Sequence, residues 1–152
     1  MKVFVMRGIP GVGKSTYANS LAQENNCKVI SIDDFFLNNG IYKFDKSCWS
    51  EAHNHCLKRF IEIIVSGEDV VVDNANTTVK GLIPYLAIAS CYNASIEVIT
   101  LDINYRDLVK ISQRNIHSVP IEDCELMLER LKANMVLPEY YKIKQTYKLI
   151  SL

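Results

Sequence analysis

The chain reads as an α/β fold, with a central parallel sheet of about five strands flanked by helices on both faces. Three observations lead there. Apolar, β-rich runs alternate with segments of helical period along the chain. One run ends in three consecutive valines, Val70-Val71-Val72, the pattern of a strand covered on both faces. The first run is followed at once by Gly8-Ile9-Pro10-Gly11-Val12-Gly13-Lys14-Ser15, a full match to G-x-x-x-x-G-K-[ST]. That pattern joins a strand to a helix in the P-loop NTPase fold.

Each element has its own justification. Val3 to Met6 is a short apolar run closed by Gly8, so it reads as a buried strand. Lys14 to Gln23 reads as a helix with Tyr17, Leu21 and Ala22 near one face. Lys28 to Ile32 is rich in β-branched residues and reads as the second strand. Asp45 to Val65 carries Trp49, Ala52, Cys56, Phe60, Ile63 and Ile64 at helical spacing. Asp69 to Val72 is the third strand. Thr78 is placed to cap a helix running to about Cys91. Ser95 to Leu101 is the fourth strand, and residues 105–114 and 121–133 are two helices separated by a segment containing Pro120. Gln145 to Leu152 is expected to close the chain as a fifth strand. No repeat or linker appears, so residues 1–152 are expected to form one P-loop domain.

Composition excludes several classes. Lys plus Arg and Asp plus Glu are 17 each, giving zero net charge. That argues against a strongly basic nucleic-acid coat and against an acidic disordered tail, though not against a local basic groove. The five cysteines are odd in number, scattered and without a CxxC, as expected of reduced thiols in a cytoplasmic protein. Met1 to Met6 is too short for a signal peptide, and no apolar window is long enough for a transmembrane helix, so no membrane partner is expected.

Ligands of such sheets bind beyond the carboxyl ends of the strands. The phosphate loop sits there. Its glycines open backbone conformations closed to other residues, so that successive N–H groups make an anion nest backed by a helix dipole. Gly8, Ile9, Pro10, Gly11, Val12, Gly13, Lys14, Ser15 and Thr16 are therefore the expected nucleotide-binding segment. Lys14 is expected to reach the β- and γ-phosphates of ATP, and Ser15 to offer its hydroxyl to Mg²⁺. The second strand ends in Asp33-Asp34, where a carboxylate can take a proton from an acceptor hydroxyl; Asp33, nearest the strand end, is the favoured base. Asp73, after the valines, looks like a Walker B carboxylate on Mg²⁺, or else helps organise the turn Asn74-Ala75-Asn76. Arg114 precedes a proline on a segment that can lie over the phosphates, where an arginine would stabilise charge on the transferred group. His53, His55 and Cys56 lack a fourth ligand and a closing motif, so a metal site is not expected there.

Read in order, Arg7 to Thr16, Ser31-Ile32-Asp33-Asp34-Phe35-Phe36, Ala52-His53, Val72 to Asn76, and Arg114-Asn115-Ile116-His117-Ser118-Val119-Pro120 resemble the P-loop kinases around polynucleotide 5′-hydroxyl kinase. The resemblance covers roughly residues 2–145. It implies transfer of the ATP γ-phosphate to the 5′-hydroxyl of DNA or RNA. Lys14 would hold the donor phosphates, Ser15 the Mg²⁺, Asp33 would be general base and Arg114 the lid arginine. Two positions depart from the family pattern, both on acceptor recognition. Phe36 stands where the family has an arginine, and Ala75 where it has a threonine.

Three functions follow. The first is a polynucleotide 5′-kinase, with Lys110, Arg114, His117 and the basic stretch from Arg130 as acceptor path and Tyr140 and Tyr141 as stacking platforms. The second is a small-molecule kinase for a nucleoside, sugar or antibiotic, with Phe35, Phe36, Tyr42 and Trp49 lining an apolar pocket. The third is a non-catalytic nucleotide-binding module. A guanine-reading Asn-Lys-x-Asp is absent, which argues against a GTPase.

Overall fold

The computed structural model describes residues 1–151. In chain order, β1 is Lys2–Arg7, α1 Lys14–Asn25 and β2 Lys28–Ile30. A 3₁₀ turn, Ile32–Phe36, then leads into a hairpin of β3, Leu37–Asn38, and β4, Ile41–Tyr42. α2 is Trp49–Val65, β5 Val70–Val72, α3 Val79–Cys91 and β6 Ser95–Ile103. α4 is Leu108–Ser112, α5 Ile121–Ala133 and β7 Lys144–Ile150.

The sheet has five parallel strands in the order β2-β5-β1-β6-β7. β1 lies at its centre, with Val3 and Val5 opposite Val70 and Val72 on one side and Ile96 and Val98 on the other. The pleat sorts the side chains by parity. Val3, Val5, Val70, Val72, Ile96 and Val98 face α2 and α3, where Phe60, Ile64, Leu82 and Leu86 close the core. Phe4, Met6, Val71, Ile99, Leu101 and Ile103 face α1, α4 and α5, against Ala18, Ile111 and Leu128. The three valines of β5 are fully buried because both faces are covered.

Several boundaries differ from expectation, each for a local reason. β2 stops at Ile30 rather than Ile32, because Ser31 caps the 3₁₀ turn. Its hydroxyl accepts the Asp33 N–H while Asp34 Oδ2 accepts the Ser31 N–H. α2 starts at Trp49 rather than Asp45, because the Asp45 carboxylate takes the Ser47 N–H and holds residues 46–48 in a separate turn. The helix expected over 105–114 is a 3₁₀ turn, Tyr105–Asp107, followed by the short α4. Its end tightens, with the N–H groups of Arg114 and Asn115 bonding back to Ile111 and Ser112. Thr78 caps α3 as expected, accepting the Gly81 N–H at 3.2 Å. The last strand is Lys144–Ile150, and the expected terminus Leu152 lies outside the described residues. No helix among the described residues is long and apolar enough to cross a membrane.

Candidate active site

The carboxyl ends of the neighbouring parallel strands β2, β5 and β1 lie side by side at one end of the sheet. The loop after β1 is braced there from two sides. Its Gly8 N–H donates to the Ala75 carbonyl at 2.9 Å, tying it to the segment after β5. Gly11, at φ +82°, lies so close to the Ile111 carbonyl of α4 that a side chain would collide with backbone. Gly13, also at positive φ, enters α1 with no side chain capping the helix. The first amides of α1 thus have no partner from their own chain, which is the arrangement that binds phosphate.

Lys14 is half-buried and folds back on the loop, its Nζ 3.0 Å from the Ile9 carbonyl. Burial lowers its ammonium below the ordinary lysine range, and the charges of Asp73 and Asp33 act against that. Asp73 is buried at the end of β5, and its Oδ1 has no hydrogen-bond partner. Burial pushes its carboxyl up, opposed by the Ser15 hydroxyl and the Lys14 charge. A buried carboxylate oxygen without a partner, beside a serine hydroxyl and a phosphate loop, suits a hard divalent cation. Thr16 and Ser15 are exposed at the start of α1.

The adjacent carboxylates of Asp33 and Asp34 have separate fates. Asp34 is consumed by structure: it completes the Ser31 capping box and pairs with Arg59 of α2. Asp33 faces the site, with the Tyr42 hydroxyl donating to Oδ1 at 2.8 Å and His117 Nε2 3.5 Å from Oδ2. Asn74 fastens β2 to β5, its Oδ1 accepting the Ile32 N–H at 2.8 Å and its Nδ2 donating to the Tyr85 hydroxyl at 3.2 Å. Asn76 does the same for β1, donating to the Met6 carbonyl while its own carbonyl accepts from Arg7 Nε. Arg7 is fully buried and bonds only carbonyls, those of Asn76, Thr77 and Asn134, and burial lowers it to about 10.

Lys14, Ser15, Asp33 and Asp73 are therefore brought together, while Arg114 is exposed on the segment after α4 with no side-chain bond to them. Phe36 is 5% exposed and packs in the core, so it does not line a pocket as expected. Trp49 instead stands exposed against Phe44 and His53. Tyr140 and Tyr141 stack on each other at 4.1 Å, and Tyr141 packs on the core. Cys56 is bonded by Asn74 and Tyr85 inside the core, and among the described residues no three of His, Cys, Asp or Glu come together as a ligand set. The Tyr42 contact was missed from the sequence, although Asn39-Gly40 between Leu37 and Ile41 is a hairpin signal that brings residue 42 back toward Asp33.

A family model described as an AAA domain matches residues 3–135. NEDD4-binding protein 2 of Homo sapiens is 32% identical over 137 residues, which is 88% of this chain and 8% of that protein. The chain thus spans less than a tenth of that curated relative. A chain in the structure of the Pnkp1/Rnl/Hen1 RNA repair complex matches with a TM-score of 0.74 at 23% identity, over 88% of this chain and 45% of that one. A gluconokinase from Sinorhizobium meliloti 1021 matches with a TM-score of 0.63 at 17% identity, over 99% of this chain and 83% of that one. Both structural likenesses are likenesses of fold.

Proposed function

The chain belongs to the AAA domain family, and from that premise we propose that it is an ATP- and Mg²⁺-dependent kinase acting on the 5′-hydroxyl end of a polynucleotide. The observation that carries the reading is the division of labour between adjacent carboxylates: Asp34 is spent on the fold, while Asp33 keeps only Tyr42 and His117 and lies within reach of the Lys14 and Asp73 charges. The loop from Gly8 to Thr16 cradles the donor phosphates, and Lys14 turns its ammonium from Ile9 to them. Ser15 and Asp73 hold the Mg²⁺, which when bound neutralises charge on the phosphate oxygens. Asp33 orients the acceptor hydroxyl and takes its proton. Arg114, free on its exposed segment, is the group that can swing in over the transferred phosphoryl.

The polynucleotide acceptor is supported by the ordered motifs from Arg7 to Pro120 and by the likeness to the RNA repair complex. One observation favours a small-molecule acceptor instead. Phe36, at the place of an acceptor-binding arginine, is buried. The extent of the gluconokinase likeness agrees with that second reading.

The test is transfer of labelled γ-phosphate from ATP with Mg²⁺ to a 5′-hydroxyl oligonucleotide, its 5′-phosphorylated twin, and a panel of nucleosides and sugars. Label on the 5′-hydroxyl oligonucleotide alone is the expected result. Label only on a small molecule moves the acceptor to the second reading and keeps the donor site. No transfer to any acceptor, with ATP bound, refutes the kinase.

A further inference from the structure

Two aromatic side chains reach Asp33 from different parts of the fold. The Tyr42 hydroxyl lies 2.8 Å from Oδ1 and His117 Nε2 3.5 Å from Oδ2, their rings 4.5 Å apart. Tyr42 arrives on the hairpin, whose turn residues Asn39 and Gly40 take positive φ and fold β4 back until the Lys43 N–H bonds the Phe36 carbonyl at 2.9 Å. His117 arrives on the segment between α4 and α5, where Asn115 accepts the His117 N–H and donates to the Val119 carbonyl. The two contacts differ in kind. At 2.8 Å a phenol donates a full hydrogen bond to a carboxylate, whereas 3.5 Å is a loose contact that an incoming group can replace. Burial and the bond to Asp33 push the Tyr42 phenol far above its ordinary value, so it keeps its proton and donates it to the carboxylate in that hydrogen bond.

We propose that Tyr42 is a positioning residue, holding Asp33 through Oδ1 so that Oδ2 is the oxygen that takes the acceptor's proton. This rests on the reading of Asp33 as general base. In the step, the acceptor oxygen bonds to the γ-phosphorus and its proton passes to Oδ2. The bond from that phosphorus to the bridging oxygen breaks, and its electron pair leaves with the nucleoside diphosphate. Tyr42 neither gains nor loses a proton. It stops rotation of the carboxylate about its last bond, a freedom that costs rate when the base must be aimed.

Tyr42→Phe keeps the ring beside Phe36 and removes only the donor. The expected result is a kcat at least fivefold lower with an unchanged KM for ATP, and no further loss when the change is made in Asp33→Ala protein. Wild-type kcat, or an equal penalty in both backgrounds, overturns the proposal. A second readout needs no turnover. The ¹⁵N signal of the His117 ring, which faces Oδ2, should move on Asp33→Asn and also on Tyr42→Phe. A signal that answers to Asp33→Asn alone overturns the proposal, whatever the acceptor proves to be. Wild-type transfer by Asp33→Ala protein overturns the general-base reading instead.

Discussion

Two neighbouring aspartates with opposite assignments make the sharpest residue-scale prediction. Asp33→Ala should reduce transfer by about 10²–10⁴-fold while leaving the melting temperature near wild type, because its side chain meets only Tyr42 of the short hairpin and His117 of the segment after α4, and not the sheet or a long helix. Asp34→Ala should do the reverse. It loses a capping box and an ion pair, so it should cost about 1 kcal/mol in urea unfolding and leave the chemistry largely intact. Equal effects on both readouts would refute the division. Asp73 carries a second prediction. Its bare Oδ1 implies that Asp73→Asn removes the Mg²⁺-dependent part of the thermal shift given by ATP and spares the Mg²⁺-independent part. The loop from Gly8 to Ser15 was legible as a strand-to-helix turn because its glycine spacing demands the positive φ found at Gly8, Gly11 and Gly13. Asp33 was expected at a strand end, whereas β2 stops at Ile30 and Asp33 stands in the 3₁₀ turn that Ser31 caps. That Asp34 is structural was not, because Arg59 meets it only across the packed face of α2. Nor was the approach of His117, which depends on the path of the chain between distant elements.

At the scale of elements, the hairpin of β3 and β4 was not legible in the sequence. Its strands, Leu37–Asn38 and Ile41–Tyr42, are too short to show a period, and only the Asn39-Gly40 turn betrays it. Gly40 sits at φ +79° with open space around it, so Gly40→Val meets strain in the backbone and no clash. It should cost about 1–2 kcal/mol and also slow transfer by displacing Tyr42, which separates it from a purely destabilising change. β7 offers a pH test. Glu97 Oε1 accepts from Thr146 Oγ1 at 2.6 Å, and its Oε2 from Lys144 Nζ at 2.9 Å. Although burial would raise it, these partners hold the Glu97 carboxyl below its ordinary value. A carboxylate depressed in the fold stabilises above the unfolded value of about 4.3 and loses that contribution as pH falls through the folded one. Glu97→Gln should therefore cost about 1 kcal/mol at neutral pH, with the difference from wild type vanishing in acid denaturation curves; a gap that persists there would show that packing, and not charge, fastens β7.

For the molecule as a whole, alternation of strand and helix gave the layers, but not the order of strands, which adjacency in sequence does not encode. β7 lies beyond the matched residues 3–135, yet it is held from the centre. Asp102 on β6 accepts from Tyr147 of β7 at 2.7 Å and from Lys132 of α5 at 2.8 Å, and the bond to Asp102, with burial, pushes the Tyr147 phenol up to about 12. The strand order has a further consequence in time rather than in space. β1 is flanked by β5 and β6, so Val3 and Val5 wait for Val70 and Val72 and then for Ile96 and Val98. A ribosome delivering this chain at roughly 5–20 residues per second would leave β1 without a neighbour for several seconds. The phosphate loop, anchored by the Ala75 carbonyl, cannot be set until that wait is over. The nascent chain is thus sticky early and able to recognise a nucleotide only late, and its yield in a cell should depend on whatever shields Val3 to Met6 in the interval.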